Sequence, residues 1–397
     1  MKKILFIGHD GSRTGAPIVL LHLLRWLKQN SDLSFEILLR RDGELKAEYE
    51  KLAPVWVLHE KMNTPGTVAA RAARRMGLPM AESFLARQLA HRSVDLIYSN
   101  TVENWSVLRD LAFLGCPIVT HVHELEYWIR YQTGLENFRH IQNLTDYYVA
   151  ASAAVKQNLV ENHRIPDDKI GVVHEFIPTE VYSSEQRAQA SRQIREKLNI
   201  PQDAMIVGGA GTTDWRKGAD LFVRLAASVQ RQQPGRSIYF VWVGGQREGA
   251  EVGALWLDVT NLKLVESHIK FLGVQSNPLD YFSAFDVFAL VSREDPFPLV
   301  MLECASLAKP ILCFENSGGA PEFVDRSCGF VIPYLDVDEM AARIFELQDS
   351  PELRFELGQR AAEKVRLKHD VDVSAAKILD IIELVSAPSL GHAKSSR

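Results

Sequence analysis

The run Val287-Phe288-Ala289-Leu290-Val291 narrows most sharply what this chain can become. It is short, apolar and rich in residues that favour extended backbone, so it reads as a buried strand. The residues after its loop, Leu299 to Leu307, read as a helix, with Pro298 suited to the first turn. Similar runs predict strands at Lys3–Gly8, Phe35–Leu39, Val55–Leu58, Asp95–Tyr98, Pro117–His121, Tyr147–Ala150 and Gly171–His174. A second series follows at Ala204–Val207, Ser237–Val243, Ile269–Gly273, Lys309–Phe314 and Gly329–Tyr334. Helical segments separate most of them, which is the alternation of an α/β, doubly wound sheet. With 397 residues, the chain has length for two or three domains.

In such sheets ligands bind beyond the carboxyl ends of the strands, so the residues found there are the candidates for chemistry. Glu294 and Asp295 fall in the loop after Val291, and Glu303 falls about five residues into the next helix, ~7–8 Å along its axis. That separation suits two ends of an extended, hydroxyl-rich ligand. Gly208-Gly209-Ala210-Gly211-Thr212-Thr213-Asp214-Trp215-Arg216-Lys217-Gly218 runs from a strand to a helix and offers backbone N–H groups, two hydroxyls and two cations, as a diphosphate requires. In the amino half, Gly15 and Ala16 close a glycine-bearing loop, where they line a ligand or simply permit a tight turn. Thr101 follows Asn100 at a strand end and can cap a helix. His123 and Glu124 follow another strand, whereas His121 belongs to the strand itself. Asp336 and Asp338 have the spacing of a metal-binding acid pair but read as a helix start.

An acid, seven residues and a Glu, with Phe297-Pro298-Leu299-Val300 between them, resembles the donor-site motif of the retaining family 4 glycosyltransferases. These are group 1 enzymes of the GT-B fold, many of them building bacterial surface polysaccharides. The resemblance covers nearly the whole chain and is most specific in the carboxyl half, where three loops agree in order and spacing. It implies GT-B architecture, two Rossmann-like doubly wound domains facing across a cleft. An acceptor-binding domain would span 1–178 and a nucleotide-sugar-binding domain 179–370, with a helix and frayed tail over 371–397 returning to the first.

It also implies roles. Asp295 would contact the transferred sugar and Glu303 the ribose, with Glu294, Pro296, Phe297, Pro298, Leu299 and Val300 completing the motif. Gly211, Thr212, Thr213, Arg216 and Lys217 would hold the diphosphate, Phe271 and Leu272 would lie beside the base, and Gly318, Gly319 and Glu322 would close on the donor. Gly15, Ala16, Asn100, His123 and Glu124 would form the acceptor side. Asp295, Lys217, His123 and Glu303 are then the catalytic set. The chain departs from the family pattern at three points: Asp295 stands for the usual Glu, Pro298 for a Gly, and Gly211 for an Arg six places before the lysine. Arg216 is the candidate replacement for that last cation. The implied reaction is transfer of a sugar from a nucleoside diphosphate to a glycan, lipid-linked or other hydroxyl acceptor in polysaccharide or glycolipid synthesis. It needs no cofactor beyond the donor substrate and no metal ion.

Two other classes stay open on the residues alone: a nucleotide-sugar epimerase of the same fold, and a non-catalytic nucleotide-sugar-binding protein. A nicotinamide oxidoreductase fits less well, because Gly8, Gly11 and Gly15 are wrongly spaced for a dinucleotide fingerprint. The net charge of -5 argues against a general nucleic-acid binder. Four cysteines without paired metal-ligand spacing suit a reducing compartment, and no apolar run has the length of a membrane span, so a cytoplasmic protein is expected. The segment 61–92 sets Lys61, Arg71, Arg74, Arg75, Arg87 and Arg92 against the single acid Glu82. It offers either a peripheral contact with anionic membrane, on the inner face of the plasma membrane, or a solvated helical face.

Overall fold

Thirteen strands, all paired in parallel, form two sheets in a computed structural model that describes residues 2–59, 93–179 and 182–387. The basic segment 61–92 lies outside those residues. The first sheet contains β1 (Lys3–Gly8), β2 (Ser34–Arg41), β3 (Val55–His59), β4 (Leu96–Ser99), β5 (Ile118–Val122), β6 (Tyr147–Ala150) and β7 (Ile170–Val172). Its order is β3-β2-β1-β4-β5-β6-β7. The second contains β8 (Met205–Ala210), β9 (Ile238–Val243), β10 (Ile269–Phe271), β11 (Val287–Leu290), β12 (Ile311–Phe314) and β13 (Gly329–Ile332). Its order, β10-β9-β8-β11-β12-β13, repeats that of the first six strands.

In each sheet the winding reverses beside the first strand, between β1 and β4 and again between β8 and β11. Loops leaving the carboxyl ends of two such strands run apart and open a crevice, the usual ligand position in open α/β sheets. The loops at Asn100, at Gly211–Gly218 and at Ser292–Pro298 leave three of these four strands, β4, β8 and β11.

The chain divides into two compact units, Met1–His174 with Val371–Arg397, and Glu175–Asp370. The first crossing therefore comes after His174 rather than after residue 178. The physical reason is local bonding inside the second unit: Ile177 N donates to His369 O at 3.1 Å, and Thr179 N to Asp370 Oδ2 at 3.2 Å. The helix Val371–Val385 packs within the first unit, where Trp26 Nε1 donates to Asp372 Oδ1 at 2.7 Å. Each unit has its own core: Leu5, Ile7, Ile97 and Val122 with helix residues such as Leu108 in the first, Val207, Phe222, Trp242 and Val287 with Ile344 in the second. Burying one such aliphatic or aromatic side chain contributes roughly 1.5–3 kcal/mol.

The structure corrects two local expectations. Strand β8 continues through Gly208, Gly209 and Ala210, which the sequence pattern places in the loop. A Cβ on Gly208 would lie 2.0 Å from Phe285 Cδ2, and one on Gly209 2.6 Å from Trp242 Cε3. These glycines make room for core rings and are not part of a phosphate cradle. Pro298 sits just before the helix Leu299–Ser306, with φ -73° and ψ 125°, rather than within its first turn. Among the described residues, no helix is long and apolar enough to cross a membrane.

Candidate functional site

The shortened loop after β8 begins at Gly211, whose φ of +140° is a conformation that side chains rarely adopt. Its carbonyl accepts from Trp242 Nε1 at 3.1 Å, so the buried indole anchors the start of the turn. The loop then folds on itself. Thr212 Oγ1 donates to Asp214 Oδ2 at 2.5 Å, and Asp214 Oδ1 accepts from Lys217 N at 3.1 Å. Gly218, at φ +75°, ends the loop; a Cβ there would come within 2.1 Å of Val291 O. Only glycine lets this loop lie so close to the end of β11 before the helix Ala219–Gln232 begins.

This close approach brings the two predicted motifs together. Lys217 Nζ is 2.5 Å from Asp295 Oδ2, and Arg216 Nη1 is 3.9 Å from the same oxygen. Arg216 Nη1 also donates to Glu294 O at 3.1 Å. Both cations thus converge on the motif loop. Burial draws the Lys217 ammonium below the ordinary lysine range, while Asp295 works in the opposite direction. Asp295 is itself buried and its backbone is pinned: its N–H donates to Ser317 O at 2.7 Å, and its carbonyl accepts from Gly319 N at 3.1 Å. Through these bonds Gly318 and Gly319 flank Asp295, and Glu322 lies in the short helix Ala320–Val324 that follows.

Glu303 occupies the fifth position of the helix Leu299–Ser306. It is half-buried, and burial raises its carboxyl from 4.5 to about 7.

Several predicted residues have partners within the chain. Phe297 is buried and stacks on His369 with ring centroids 5.2 Å apart, so it anchors the motif loop. Leu299 is buried as well. Phe271 turns its ring into the core against Trp256 at 5.6 Å. Leu272 uses its N–H on Trp242 O at 3.0 Å and its carbonyl on Gln275 Nε2 at 2.7 Å. Thr213 Oγ1 donates to Glu251 Oε2 at 2.9 Å. Asp336 caps the helix Val337–Asp349 by accepting from Glu339 N at 2.9 Å, while Asp338 takes Arg231 at 2.6 Å. That acid pair is committed to helix and ion-pair duties.

Sequence reasoning missed Arg293. Its guanidinium forks onto Asp220 at 2.8 and 2.6 Å, donates to Trp215 O at 2.7 Å and lies 5.0 Å from the centre of the Trp215 ring. Its backbone N–H donates to Arg216 O at 2.8 Å. One residue therefore holds the loop that carries Arg216 and Lys217 to the loop that carries Asp295. The only signal available was its place two residues before Asp295.

In the first unit, the ends of β1, β4 and β5 gather a different set. Asn100 is buried and bridges Ala16 O, at 2.8 Å, to His123 Nε2, at 3.1 Å. Glu124 accepts from Thr101 Oγ1 and, at 2.9 Å, from His123 N. Burial pushes Glu124 up to about 7. His121 lies buried in β5, with its Nδ1 2.8 Å from Tyr98 OH and its ring 3.9 Å from that of His123. A Cβ at Gly15 would meet nothing within 4 Å, so Gly15 is not the packed glycine of this loop. That part belongs to Gly11, whose Cβ would lie 3.2 Å from the Gly43 backbone.

Comparison with known proteins agrees with this division. Residues 13–181 match the family model described as Glycosyltransferase Family 4, and residues 190–364 match Glycosyl transferases group 1. An α-D-kanosaminyltransferase from Streptomyces kanamyceticus is 21% identical over 68% of this chain and 70% of its own length. A D-inositol 3-phosphate glycosyltransferase from Saccharomonospora viridis is 26% identical over 55% of this chain, and the match spans 51% of that relative. The chain spans about half the length of most of the curated relatives it matches. Anabaena HepE, solved with UDP-glucose, superposes with a TM-score of 0.81 at 21% identity, covering 97% of this chain and all of that one (100%). Likeness of that extent, together with the two parallel sheets, establishes the GT-B fold.

Proposed function

We propose that this chain, which belongs to the group 1, family 4 glycosyltransferases, moves a sugar from a nucleoside diphosphate to a hydroxyl acceptor with retention at the anomeric carbon. The observation that carries the reading is the convergence of Lys217 and Arg216 on Asp295 where the second sheet reverses its winding. A charged triad at that point fits a ligand with anionic phosphates at one end and hydroxyls at the other.

As the anomeric C–O bond breaks, its electron pair moves onto the diphosphate. Lys217, Arg216 and the N–H groups at the start of the helix Ala219–Gln232 stabilise the developing charge. Asp295 accepts hydrogen bonds from the sugar hydroxyls, and Glu303 from the ribose. No residue in the second unit's loops is assigned as a covalent nucleophile. The incoming hydroxyl attacks from the face the phosphate leaves, and a departing phosphate oxygen takes its proton. Asn100, His123 and Glu124 serve the acceptor.

A UDP-sugar is the first donor to try, because the HepE structures hold UDP and UDP-glucose. Relatives named for lipopolysaccharide core biosynthesis and for galactosylglucosyldiacylglycerol synthesis favour a glycan or lipid-linked acceptor. Four unpaired cysteines fit a reducing, cytoplasmic site of action. The reaction is assigned no metal ion.

The test is a thermal-shift screen of nucleotide sugars, followed by proton NMR of the sugar first released or transferred. A shift with one donor, and a product of the donor's own anomeric configuration, supports the reading. An inverted first product contradicts retention, and indifference to every nucleotide sugar contradicts the donor site.

A further inference from the structure

Beyond β5 the first unit exposes an aromatic side chain that its core does not use. After His123 and Glu124 the chain enters a wide π-type turn, Trp128–Gly134, which Gly134 closes at φ +85° before the helix Leu135–Leu144 begins. Turns of this kind are uncommon and concentrate at functional sites. Ile129 and Thr133 face inward, at 0% and 5% exposure, so the turn shows its other side to solvent. Tyr131 stands on that side and is 68% exposed, its ring centre 5.4 Å from that of Tyr127.

The turn is moored to the strand ends already described. Trp128 Nε1 donates to Glu103 Oε1 at 2.8 Å. Glu103 N in turn donates to Thr101 Oγ1 at 3.2 Å, and the Thr101 hydroxyl is held by Glu124. The surface around Tyr131 is therefore continuous with the network of Asn100, Thr101, His123 and Glu124. Beside it, Arg130 Nε and Nη2 both donate to Glu126 Oε1, at 3.0 and 2.7 Å, and Glu126 Oε2 lies 2.8 Å from His163 Nε2. Hydrogen-bonding groups that are held in place thus border an exposed ring.

That combination suits a sugar ring better than a bilayer. One face of a pyranose presents C–H groups with partial positive charge, which the negative face of an aromatic ring attracts, while the sugar's rim carries hydroxyls. An anionic membrane surface calls instead for basic side chains around the ring. Here Glu126 and Glu136 outnumber Arg130 between residues 126 and 136. We infer that Tyr131 is a specificity-determining residue that stacks on a hexopyranose unit of the acceptor, so that the acceptor is a glycan rather than a simple alcohol or a bare lipid. The inference rests on the transfer reaction proposed above and adds to it the class of acceptor.

Saturation-transfer NMR on the whole chain, with the methyl glycosides of glucose, galactose, mannose and N-acetylglucosamine as probes, tests this contact without any turnover. At least one glycoside should receive saturation, strongest on the C–H protons of one ring face. Tyr131→Ala should lower that signal at least about threefold, whereas Tyr131→Phe, which keeps the ring, should retain it. Equal signals in the wild type and in folded Tyr131→Ala overturn the inference, as does silence from every glycoside. Vesicles of phosphatidylglycerol and phosphatidylcholine in equal parts are the second probe. Co-sedimentation of the wild type that Tyr131→Ala abolishes would assign the ring to a bilayer and overturn the inference too. With UDP-glucose as donor and the bound glycoside as acceptor, Tyr131→Ala should raise the acceptor KM about three- to tenfold and leave the donor KM within about twofold. An equal rise in both would mean a merely structural role and overturn it. If the wild type neither binds nor turns over UDP-glucose, the proposed transfer fails, yet the glycoside signals still decide whether Tyr131 holds a sugar.

Discussion

The two sheets share one strand order through six strands, yet the loops at their reversal points have opposite chemical character. Beyond β8 and β11 the chain gathers Lys217, Arg216, Asp295 and a half-buried Glu303. Beyond β1, β4 and β5 it gathers Asn100, Thr101, His123 and a buried Glu124, with no lysine or arginine bonded to these four side chains among the hydrogen bonds and ion pairs described. Winding fixes where a ligand can sit, and the loop residues decide which ligand it is. Charges that converge suit a diphosphate. A network of hydrogen-bond donors and acceptors suits hydroxyl groups, which need direction more than field strength.

The sharpest way to break this contrast is to remove the charge from the second site. Lys217→Ala should lower turnover of the donor by about 10²–10³, the usual effect of losing one group that stabilises leaving charge. A smaller loss would make the first site the more important of the two. Asp295→Asn should separate two effects: turnover falls about a hundredfold, while affinity for UDP alone rises several-fold, because Lys217 no longer has a competing carboxylate at 2.5 Å. Calorimetry on that variant measures the second part.

Glu303 supplies a pH dependence. Its folded value is about 7 against an ordinary 4.5, so folding takes up a proton between those values. The stabilising contribution of the neutral carboxyl is fully present below about pH 4.5, is lost as pH rises to about 7 and changes no further above that. Glu303→Gln should therefore be more stable than the wild type at pH 8, by about 1–3 kcal/mol in denaturant unfolding, and equal to it near pH 4. Donor binding prefers the ionised form, so wild-type affinity should rise up to about tenfold from pH 6 to pH 8, and Glu303→Gln should be flat.

Arg293→Lys removes the fork on Asp220 but keeps the charge. It should raise the donor KM about three- to tenfold, with a smaller change in kcat, because the loop bearing Lys217 loses its tether. The smallest effect is expected from chelation: EDTA should leave the initial rate unchanged, and a rate that returns only with added divalent cation would require a metal at the diphosphate.

Much of this arrangement was legible in the sequence, because its parts are local. Asp295 and Glu303 belong to one strand–loop–helix segment, and Lys217 to another, so local pattern and the family resemblance pointed to them. What stayed hidden depends on residues far apart along the chain. Gly208 and Gly209 look like loop glycines until Phe285 and Trp242 are found against them. Phe297 looks like a ligand contact until His369, whose ring lies parallel to it within 25°, gives it a structural partner. Arg293 pairs with Asp220 across 73 positions, a separation that no motif spans. The first site was legible as residues but not as a network, since the Asn100 bridge to Ala16 crosses 84 positions.

The most direct test is a calorimetric titration of UDP-glucose into the wild-type chain and into folded Lys217→Ala. The account predicts saturable one-site binding to the wild type and affinity at least a hundredfold weaker for the variant. Equal affinity in the two proteins would contradict it, because the phosphates would then lie somewhere other than over Lys217.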